Sequence, residues 1–198
     1  MDINMTKNIK FLAVIFAFIL SGCSHQIQLN PEMKEFTNSD IKIDKTVGYF
    51  IAKADIDKSV TTPGGGGDSV TYKPYKDTET VLYTVLINKF EDVYKIDSLE
   101  DKQFITENNI QYVFIPKLVT NSSSDSAFTW PPTNFTISLS CQAIENGKDV
   151  VWEKTIDVEG NAEFDEFKTD FSLSARRATE KAFVKLAEEL ENTAAFTQ

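Results

Sequence analysis

The stretch that decides the fold is FTISLSCQAIENGKDVVWEKTIDV, residues 135–158. Apolar and polar side chains alternate along 135–144 and again along 150–158, a pattern that is typical of strands with one buried face. Asn146-Gly147 lies between the two runs, and this dipeptide favours the two-residue turn of a β-hairpin. The stretch therefore predicts two antiparallel strands that pair as a hairpin.

The segments on either side of this hairpin predict the rest of the sheet and its helices. Residues 110–119 are apolar on both faces and predict a central strand, and residues 46–56 predict another. Apolar stripes at helical spacing predict helices over 80–95 and 170–192. We expect an α+β fold, a small mixed sheet of about four to five strands with two main helices packed on one face.

Shorter elements fill the gaps between these segments. A short strand is predicted at 70–72 and a second short helix over 98–108, while 120–133 is predicted to be a long polar and aromatic loop. The four-glycine run at 64–67 is not followed by the Lys-Ser or Lys-Thr of a phosphate-binding loop, and Asp68 would repel a phosphate. We therefore predict a flexible or specially shaped loop there, open enough for the backbone of a partner to approach closely.

The N-terminus has the layout of a secretory signal. Lys7 and Lys10 precede ten residues without a polar side chain, 11–20, and the sequence Leu20-Ser21-Gly22-Cys23 follows. The alternatives are a transmembrane anchor and a buried core helix, but a helix that crosses the hydrocarbon layer needs about 20 apolar residues, and a helix from residue 7 would have to end at Gly22-Cys23-Ser24. The cysteine after small residues resembles the lipobox of bacterial lipoproteins.

That resemblance implies that Cys23 becomes the first mature residue and carries a diacylglycerol group and an N-acyl chain. By the same resemblance Ser24, in place of Asp, implies sorting to the outer membrane, and we expect the body to face the periplasm. The expected organisation is a signal peptide at 1–22, a lipidated N-terminus and flexible tether at 23–40, and a single periplasmic domain at 41–198.

The charge balance argues against polyanionic partners. The chain has 20 basic and 30 acidic residues, and removal of 1–22 leaves 18 and 29. Binding to phosphate backbones or to anionic lipid surfaces needs clustered Lys and Arg, so we expect no nucleic-acid partner. The acidic surface keeps the body in water while the lipid supplies the attachment to the membrane.

The order of strands and helices over about 46–192 resembles that of several small envelope proteins. These are the N-terminal domain of TolB, the penicillin-binding-protein activator lipoproteins and the periplasmic domain of the curli-export lipoprotein. Val158-Glu159-Gly160-Asn161-Ala162, followed by a polar stretch and an alanine-containing helix, resembles the end of that module. The resemblance concerns the arrangement of elements, and it bears on the fold more than on the function.

Residues suited to catalysis or metal binding are scarce. His25 is the only histidine, so no Ser-His-Asp, Cys-His or Cys/His zinc site is expected within the domain. The acids at 163, 165, 166 and 170 lack the spacing of a calcium loop and predict a solvated turn. We predict no catalytic residue, no metal and no cofactor beyond the acyl chains on Cys23, although a hydrolase built on two spatially paired carboxylates stays open.

Cys141 is left without a disulfide partner if Cys23 is acylated. It shares the apolar face of Ile137 and Leu139 in the alternating run, so we predict a buried, unreactive side chain. A reactive or intermolecular thiol is the alternative.

The loop at 120–133 contains the best candidates for partner binding. Phe128 and Trp130 lie in polar surroundings, and Pro131-Pro132 stiffens the segment. These residues either fold back as a lid on the core or form an exposed contact for a partner. Two further aromatic residues, Tyr72 and Tyr75, are expected at the same end of the domain.

We therefore predict a non-enzymatic, lipid-anchored protein that binds an envelope component, expected to be a protein, and helps to assemble, stabilise or regulate it. Confinement to a membrane raises the effective concentration of a weak binding face. The alternative is an envelope lipoprotein that binds a small molecule or glycan in a concave apolar pocket. The oligomeric state is not predicted.

Overall fold

A computed structural model describes residues 23–32, 42–145 and 149–196, which contain eight strands and four helices. The strands β1–β8 are Ser24–Gln26, Ile43–Phe50, Val60–Pro63, Ser69–Tyr72, Phe90–Ile96, Tyr112–Ser123, Asn134–Glu145 and Asp149–Asn161. The helices α1–α4 are Lys53–Ile56, Pro74–Lys89, Lys102–Glu107 and Leu173–Glu191.

Five strands form the main sheet, in the order β5-β2-β6-β7-β8. Strands β5 and β6 both run parallel to β2, whereas β6, β7 and β8 are successively antiparallel. The predicted pairing of the 135–144 and 150–158 runs is confirmed, since β7 and β8 pair from Asn134 with Asn161 to Glu145 with Asp149. The Asn146-Gly147 turn lies outside the described residues.

The two long helices, α2 and α4, pack against each other and on the same face of this sheet. Their buried side chains, Leu82, Leu86, Phe183 and Leu186 among them, share one core with the inward residues of the strands. Close packing of β8 on α4 requires Gly160, where a Cβ would lie 2.1 Å from the carbonyl oxygen of Ser174. The predicted α+β fold, a mixed sheet with two main helices on one face, is confirmed.

The opposite face of the sheet carries a smaller apolar cluster under α3. Ile96, Ile110, Val113 and Ile144 are its buried members. Helix α3 begins after Asp101, whose side chain accepts a hydrogen bond from the Phe104 amide at 3.0 Å. This capping residue replaces Ser98, at which the sequence predicted the helix to begin.

A second sheet, in the order β1-β4-β3, was not predicted. Strand β4 matches the short strand expected at 70–72, and β1 pairs with it in parallel while β3 pairs with it antiparallel. Residues 24–32 therefore pack on the body instead of forming part of a tether, because Ile27 and Leu29 are apolar and both are buried. Residues 33–40 of the predicted tether lie outside the described residues.

The helix predicted over 80–95 is wrong at both ends. Helix α2 begins at Pro74, a residue that suits the first helical position because its missing N–H would have no helical partner there. The chain leaves the helix after Lys89, and Phe90–Ile96 pairs with β2 as a strand. Pairing with a strand that is distant in sequence outweighs the local helical spacing.

Other boundaries shift by a few residues. The strand predicted over 46–56 ends at Phe50, and the residues that follow form α1, in which Ala54 is exposed instead of facing inward. The central strand extends to Ser123, so the loop after it covers 124–133. The last helix, predicted to start at Asp170 or Ser172, begins at Leu173.

Candidate functional site at the Cys23 end

Cys23 is exposed and lies directly on the body of the protein. Its amide N–H donates to Asp68 Oδ1 at 2.9 Å, and its carbonyl oxygen accepts from the Ser69 amide at 3.0 Å. These two bonds place Cys23 at the start of β1, alongside the loop that contains the glycine run. The predicted lipidation residue is thus a surface residue whose backbone is held on both sides.

The residues after Cys23 are bonded to the body at successive positions. The Ile27 amide donates to the Thr71 carbonyl at 3.1 Å, and the Gln28 amide donates to Ser172 Oγ at 3.1 Å. The Leu29 amide donates to Asp77 Oδ2 at 3.3 Å, and the Arg176 Nε donates to the Asn30 carbonyl at 3.1 Å. The described segment 23–32 is therefore bonded to the domain along its length.

His25 connects this segment to two loops. Its Nε2 lies 2.9 Å from Asp68 Oδ2, and its ring stacks on Trp130. The hydrogen bond from His25, followed by the one from the Cys23 amide, lowers the pKa of the Asp68 carboxyl. The histidine thus has a structural role here, since it fastens the N-terminal segment to the glycine loop and to the loop after β6.

The glycine run lets its own chain approach closely. The Gly65 amide donates to the Trp130 carbonyl at 2.8 Å, and the Gly66 amide donates to the Ser126 carbonyl at 3.0 Å. A Cβ on Gly65 would lie only 1.8 Å from the Thr129 carbonyl oxygen. The backbone that approaches these glycines is therefore the 124–133 loop of the same chain and not, as predicted, that of a partner.

The 124–133 loop is divided between surface and interior. Phe128 is 97% exposed, whereas Trp130 is partly buried between His25 and Phe171. Pro131 and Pro132 are buried. Of the candidate contact residues, Phe128 exposes almost its whole side chain to solvent and Trp130 is partly exposed. Pro131 and Pro132 are not available to a partner because they are buried.

A neighbouring segment adds aromatic residues that sequence reasoning missed. Phe164 and Phe171, from the connection between β8 and α4, are 55% and 49% exposed. Together with Phe128 and Trp130 they border an open depression of about 350 Å³, to which Lys168 also contributes. We refer to Phe128, Trp130, Phe164 and Phe171 as the aromatic patch. The sequence signal for this surface was the presence of Phe164 and Phe171 in the acidic segment before α4.

Tyr72 and Tyr75 do not belong to this surface, contrary to the prediction. Both are buried, with exposed fractions of 2% and 8%. The Tyr72 hydroxyl donates to Thr120 Oγ1 at 2.8 Å, and the Tyr75 hydroxyl accepts from the Leu118 amide at 3.2 Å. Because each hydroxyl finds a partner inside the protein, these rings contribute to the core and are not available to a partner.

The acidic residues before α4 are used in ion pairs. Glu166 forms a two-pronged pair with Arg177, at 2.9 and 2.7 Å, and Asp170 accepts from Arg176 at 2.8 Å. The Arg177 guanidinium lowers the pKa of Glu166 to about 2. Asp165 pairs with Lys168. Within the described ranges, no group of three or more His, Cys, Asp or Glu side chains is positioned to hold a metal ion.

Cys141 is fully buried in β7, as predicted from its shared face with Ile137 and Leu139. Burial raises the pKa of its thiol to about 12. The thiolate form that reacts with electrophiles is therefore rare at neutral pH.

Comparisons with known proteins give only distant likenesses. No protein-family model and no curated protein matches the chain. Among solved structures, a DUF330 protein from Xanthomonas campestris is 16% identical, covering 86% of this chain and 91% of its own, with a TM-score of 0.40. A putative neuraminyllactose-binding hemagglutinin homolog from Helicobacter pylori is also 16% identical, covering 84% and 92%, with a TM-score of 0.47.

The PelC dodecamer from Paraburkholderia phytofirmans is 13% identical, with a TM-score of 0.42, and the match covers 79% of this chain and 96% of that one. None of these three is among the protein types named above, so that resemblance stays a prediction. In the part of the chain that the structure describes, no helix has both the length and the apolar character required to cross a membrane.

Proposed function

We propose that this chain is a lipid-anchored protein of the cell envelope. Acyl chains on Cys23 hold it on the outer membrane with its body in the periplasm, where it binds an envelope component without catalysing a reaction. The observation that carries the proposal is the sequence Leu20-Ser21-Gly22-Cys23 after a short apolar run, combined with a Cys23 that lies exposed on the folded body.

The geometry around Cys23 is compatible with its acylation. The thiol belongs to an exposed residue, so a thioether-linked diacylglycerol meets no core packing. The bond to Asp68 uses the Cys23 N–H, and an amide formed by N-acylation still carries one N–H. The fold at this end therefore needs no rearrangement when both modifications are present.

The expected mode of action is tethering. A body held at a membrane meets other envelope components at a high effective concentration, so a weak contact face is sufficient. The acidic composition keeps this body away from polyanions and favours a protein component, whose assembly, stability or regulation the tethered protein would serve.

A second candidate is the binding of a small molecule or glycan, and the depression of about 350 Å³ beside the aromatic patch favours it. The same depression is open and bordered by a fully exposed Phe128. A thermal shift with soluble glycans, lost on replacement of Phe128 by Ala, would support this function over tethering.

Lipidation is tested by mass spectrometry of the N-terminal peptide from native membranes. The expected peptide begins at Cys23 and carries a diacylglycerol and an amide-linked acyl chain. Residues 23–198 with Cys23→Ala, exported behind a signal peptide that is cleaved without lipidation, should leave the membrane fraction, while Cys141→Ala in the lipidated protein, the matched cysteine substitution, should stay there. An unmodified thiol at Cys23 or a retained 1–22 segment would overturn the proposal.

The partner is sought by crosslinking in intact cells before purification. Wild type is compared with the same non-lipidated Cys23→Ala protein, which keeps the folded surface and removes the confinement. The tethering mechanism predicts that a specific envelope protein is crosslinked to wild type and much less to the variant. Equal crosslinking of the two would contradict it.

A further inference from the structure

The aromatic patch lies at the same end of the protein as Cys23. Strand β6 ends at Ser123, β7 begins at Asn134 and β8 ends at Asn161. The 124–133 and 162–172 connections therefore lie at the same end of these three strands. His25, two residues after Cys23, stacks on Trp130, and Trp130 contacts Phe171 at a centroid distance of 4.9 Å. A continuous set of contacts therefore runs from Cys23 to the patch.

Nothing in the described segment after Cys23 separates the body from its anchor. The amides of Cys23, Ile27 and Leu29 are each bonded to the body, on Asp68, Thr71 and Asp77 respectively. Acyl chains on Cys23 would therefore start at the surface of the domain and not at the end of a free linker. Insertion of those chains would bring this end of the body to the bilayer surface.

We infer that the aromatic patch contacts the bilayer into which the acyl chains of Cys23 insert, with its rings in the interfacial layer. This inference rests on the proposed lipidation and names the surface that the exposed rings meet. The patch then fixes the orientation of the body. A body that touches the membrane at three or more points cannot tilt, and it can rotate only about the membrane normal.

The chemistry of the patch suits this layer. Phe128, Phe164 and Phe171 expose apolar ring surface that water solvates poorly, and the partly buried Trp130 has a ring type that is enriched at membrane–water boundaries. The Lys168 ammonium lies 5.5 Å from the centroid of the Phe164 ring, where its charge can stay in the headgroup region while its stem contacts apolar surface.

Charges around the patch indicate which lipids it meets. The carboxylates of Glu163 and Asp165 are exposed beside Phe164, and they oppose attraction to anionic headgroups. The contact is therefore apolar in origin, and zwitterionic phospholipid is sufficient for it. A protein partner on the same rings would have to compete with the membrane to which Cys23 already binds.

The test uses the acylated protein, isolated from membranes and reconstituted in phosphatidylcholine vesicles with brominated acyl chains, which quench nearby fluorophores. An environment-sensitive label is placed by Phe128→Cys in one sample and by Val150→Cys in the other. Val150 is 52% exposed and lies at the far end of β8, about 35 Å along the strand from Asn161. Buried Cys141 and acylated Cys23 do not compete for the label.

The label on Phe128→Cys should be strongly quenched by brominated lipid and shifted to the blue, while the label on Val150→Cys should be unaffected. Adding Phe164→Asp should reduce the quenching at position 128, which mere proximity to the anchor would not explain. Equal quenching of the two labels would overturn the inference. So would a label at 128 that is shielded from aqueous iodide yet not quenched by lipid, since that indicates a protein contact.

Mass spectrometry of the same preparation separates the two proposals. An acylated Cys23 with an unquenched label at position 128 overturns the bilayer contact and leaves the lipid anchor intact. An unmodified Cys23 overturns the anchor and the contact together. Substitution at Phe128 leaves folding unaffected because the side chain is almost wholly in solvent, so a negative result reflects the contact itself.

Discussion

The imidazole of His25 stacks on the indole of Trp130, with ring centroids 4.2 Å apart and planes inclined by 13°. The contact joins the segment that begins at Cys23 to a loop more than 100 residues away in sequence. Asp68 bonds to the same imidazole and to the Cys23 amide, so three separate parts of the chain meet at one histidine. The only histidine in the sequence therefore joins the segment after Cys23 to both loops.

Replacing His25 by Ala should loosen the N-terminal segment without unfolding the body. An aromatic pair of this kind contributes about 0.5–1.5 kcal/mol, so amide exchange at Ile27 should accelerate by roughly two- to tenfold. His25→Phe keeps the stacking and removes the bond to Asp68, and an intermediate rate is expected. Hydrogen-exchange mass spectrometry measures both. Unchanged exchange in His25→Ala would show that the remaining bonds suffice.

Replacing Gly65 by Ala should separate the glycine loop from the 124–133 loop. The new Cβ would lie 1.8 Å from the Thr129 carbonyl oxygen, a backbone atom that cannot turn aside. Overpacking of this type costs about 1–3 kcal/mol of unfolding free energy, which urea titration measures.

Gly67→Ala is the matched control for this clash. Gly67 has a φ of 87°, but a Cβ there would meet no atom within 4 Å. Only the strain of the left-handed conformation is then introduced, about 1–2 kcal/mol. Gly65 does not have a positive φ, so any loss in Gly65→Ala comes from the close approach, and an unchanged free energy of unfolding in that variant would contradict the clash.

The strands with alternating side chains were predictable because their signal is local. In β7, Ile137, Leu139 and Cys141 recur at every second residue, and all three are buried. Strand β5 was not predictable in this way, since Phe90 and Val93 continue the helical spacing of Leu82 and Leu86. Only pairing with β2, in which Ile43 lies opposite Phe90 and 47 residues before it, makes that segment a strand.

The candidate site was predictable in part for a similar reason. Phe128 and Trp130 are conspicuous in a polar loop, so sequence alone identified them. Phe171 joins them through a contact with Trp130 that depends on where β8 and α4 place the 162–172 connection. Tyr72 is aromatic and flanked by a loop as well, yet its hydroxyl bonds to Thr120 in the interior. Residue type does not reveal which side of a short strand faces the core.

The Glu166–Arg177 pair should make stability depend on pH below about 4.5. The pKa of Glu166 is lowered from its ordinary 4.5 to about 2, so the charged form is favoured by folding. Its contribution is therefore fully present above 4.5 and is lost as the pH falls toward 2. Glu166→Gln should be less stable than wild type at pH 7, and the difference should vanish near pH 2.

Urea titrations at several pH values measure this difference. Glu153→Gln, an exposed substitution on β8, controls for the loss of one negative charge. It should follow the wild-type profile. If the difference in unfolding free energy between Glu166→Gln and wild type stayed constant from pH 7 to pH 2, the loss would come from packing and not from a titrating ion pair.

Thiol reactivity should report on both the fold and the modification of Cys23. Cys141 is fully buried with a pKa of about 12, and because the thiolate is the reactive form, its reaction with an aromatic disulfide reagent at pH 8 should require unfolding. Acylated protein should therefore show no fast thiol when native and one in denaturant. Unmodified protein should show one fast thiol when native and two in denaturant, because Cys23 is exposed. A fast thiol in Cys23→Ala would contradict the burial of Cys141 in solution.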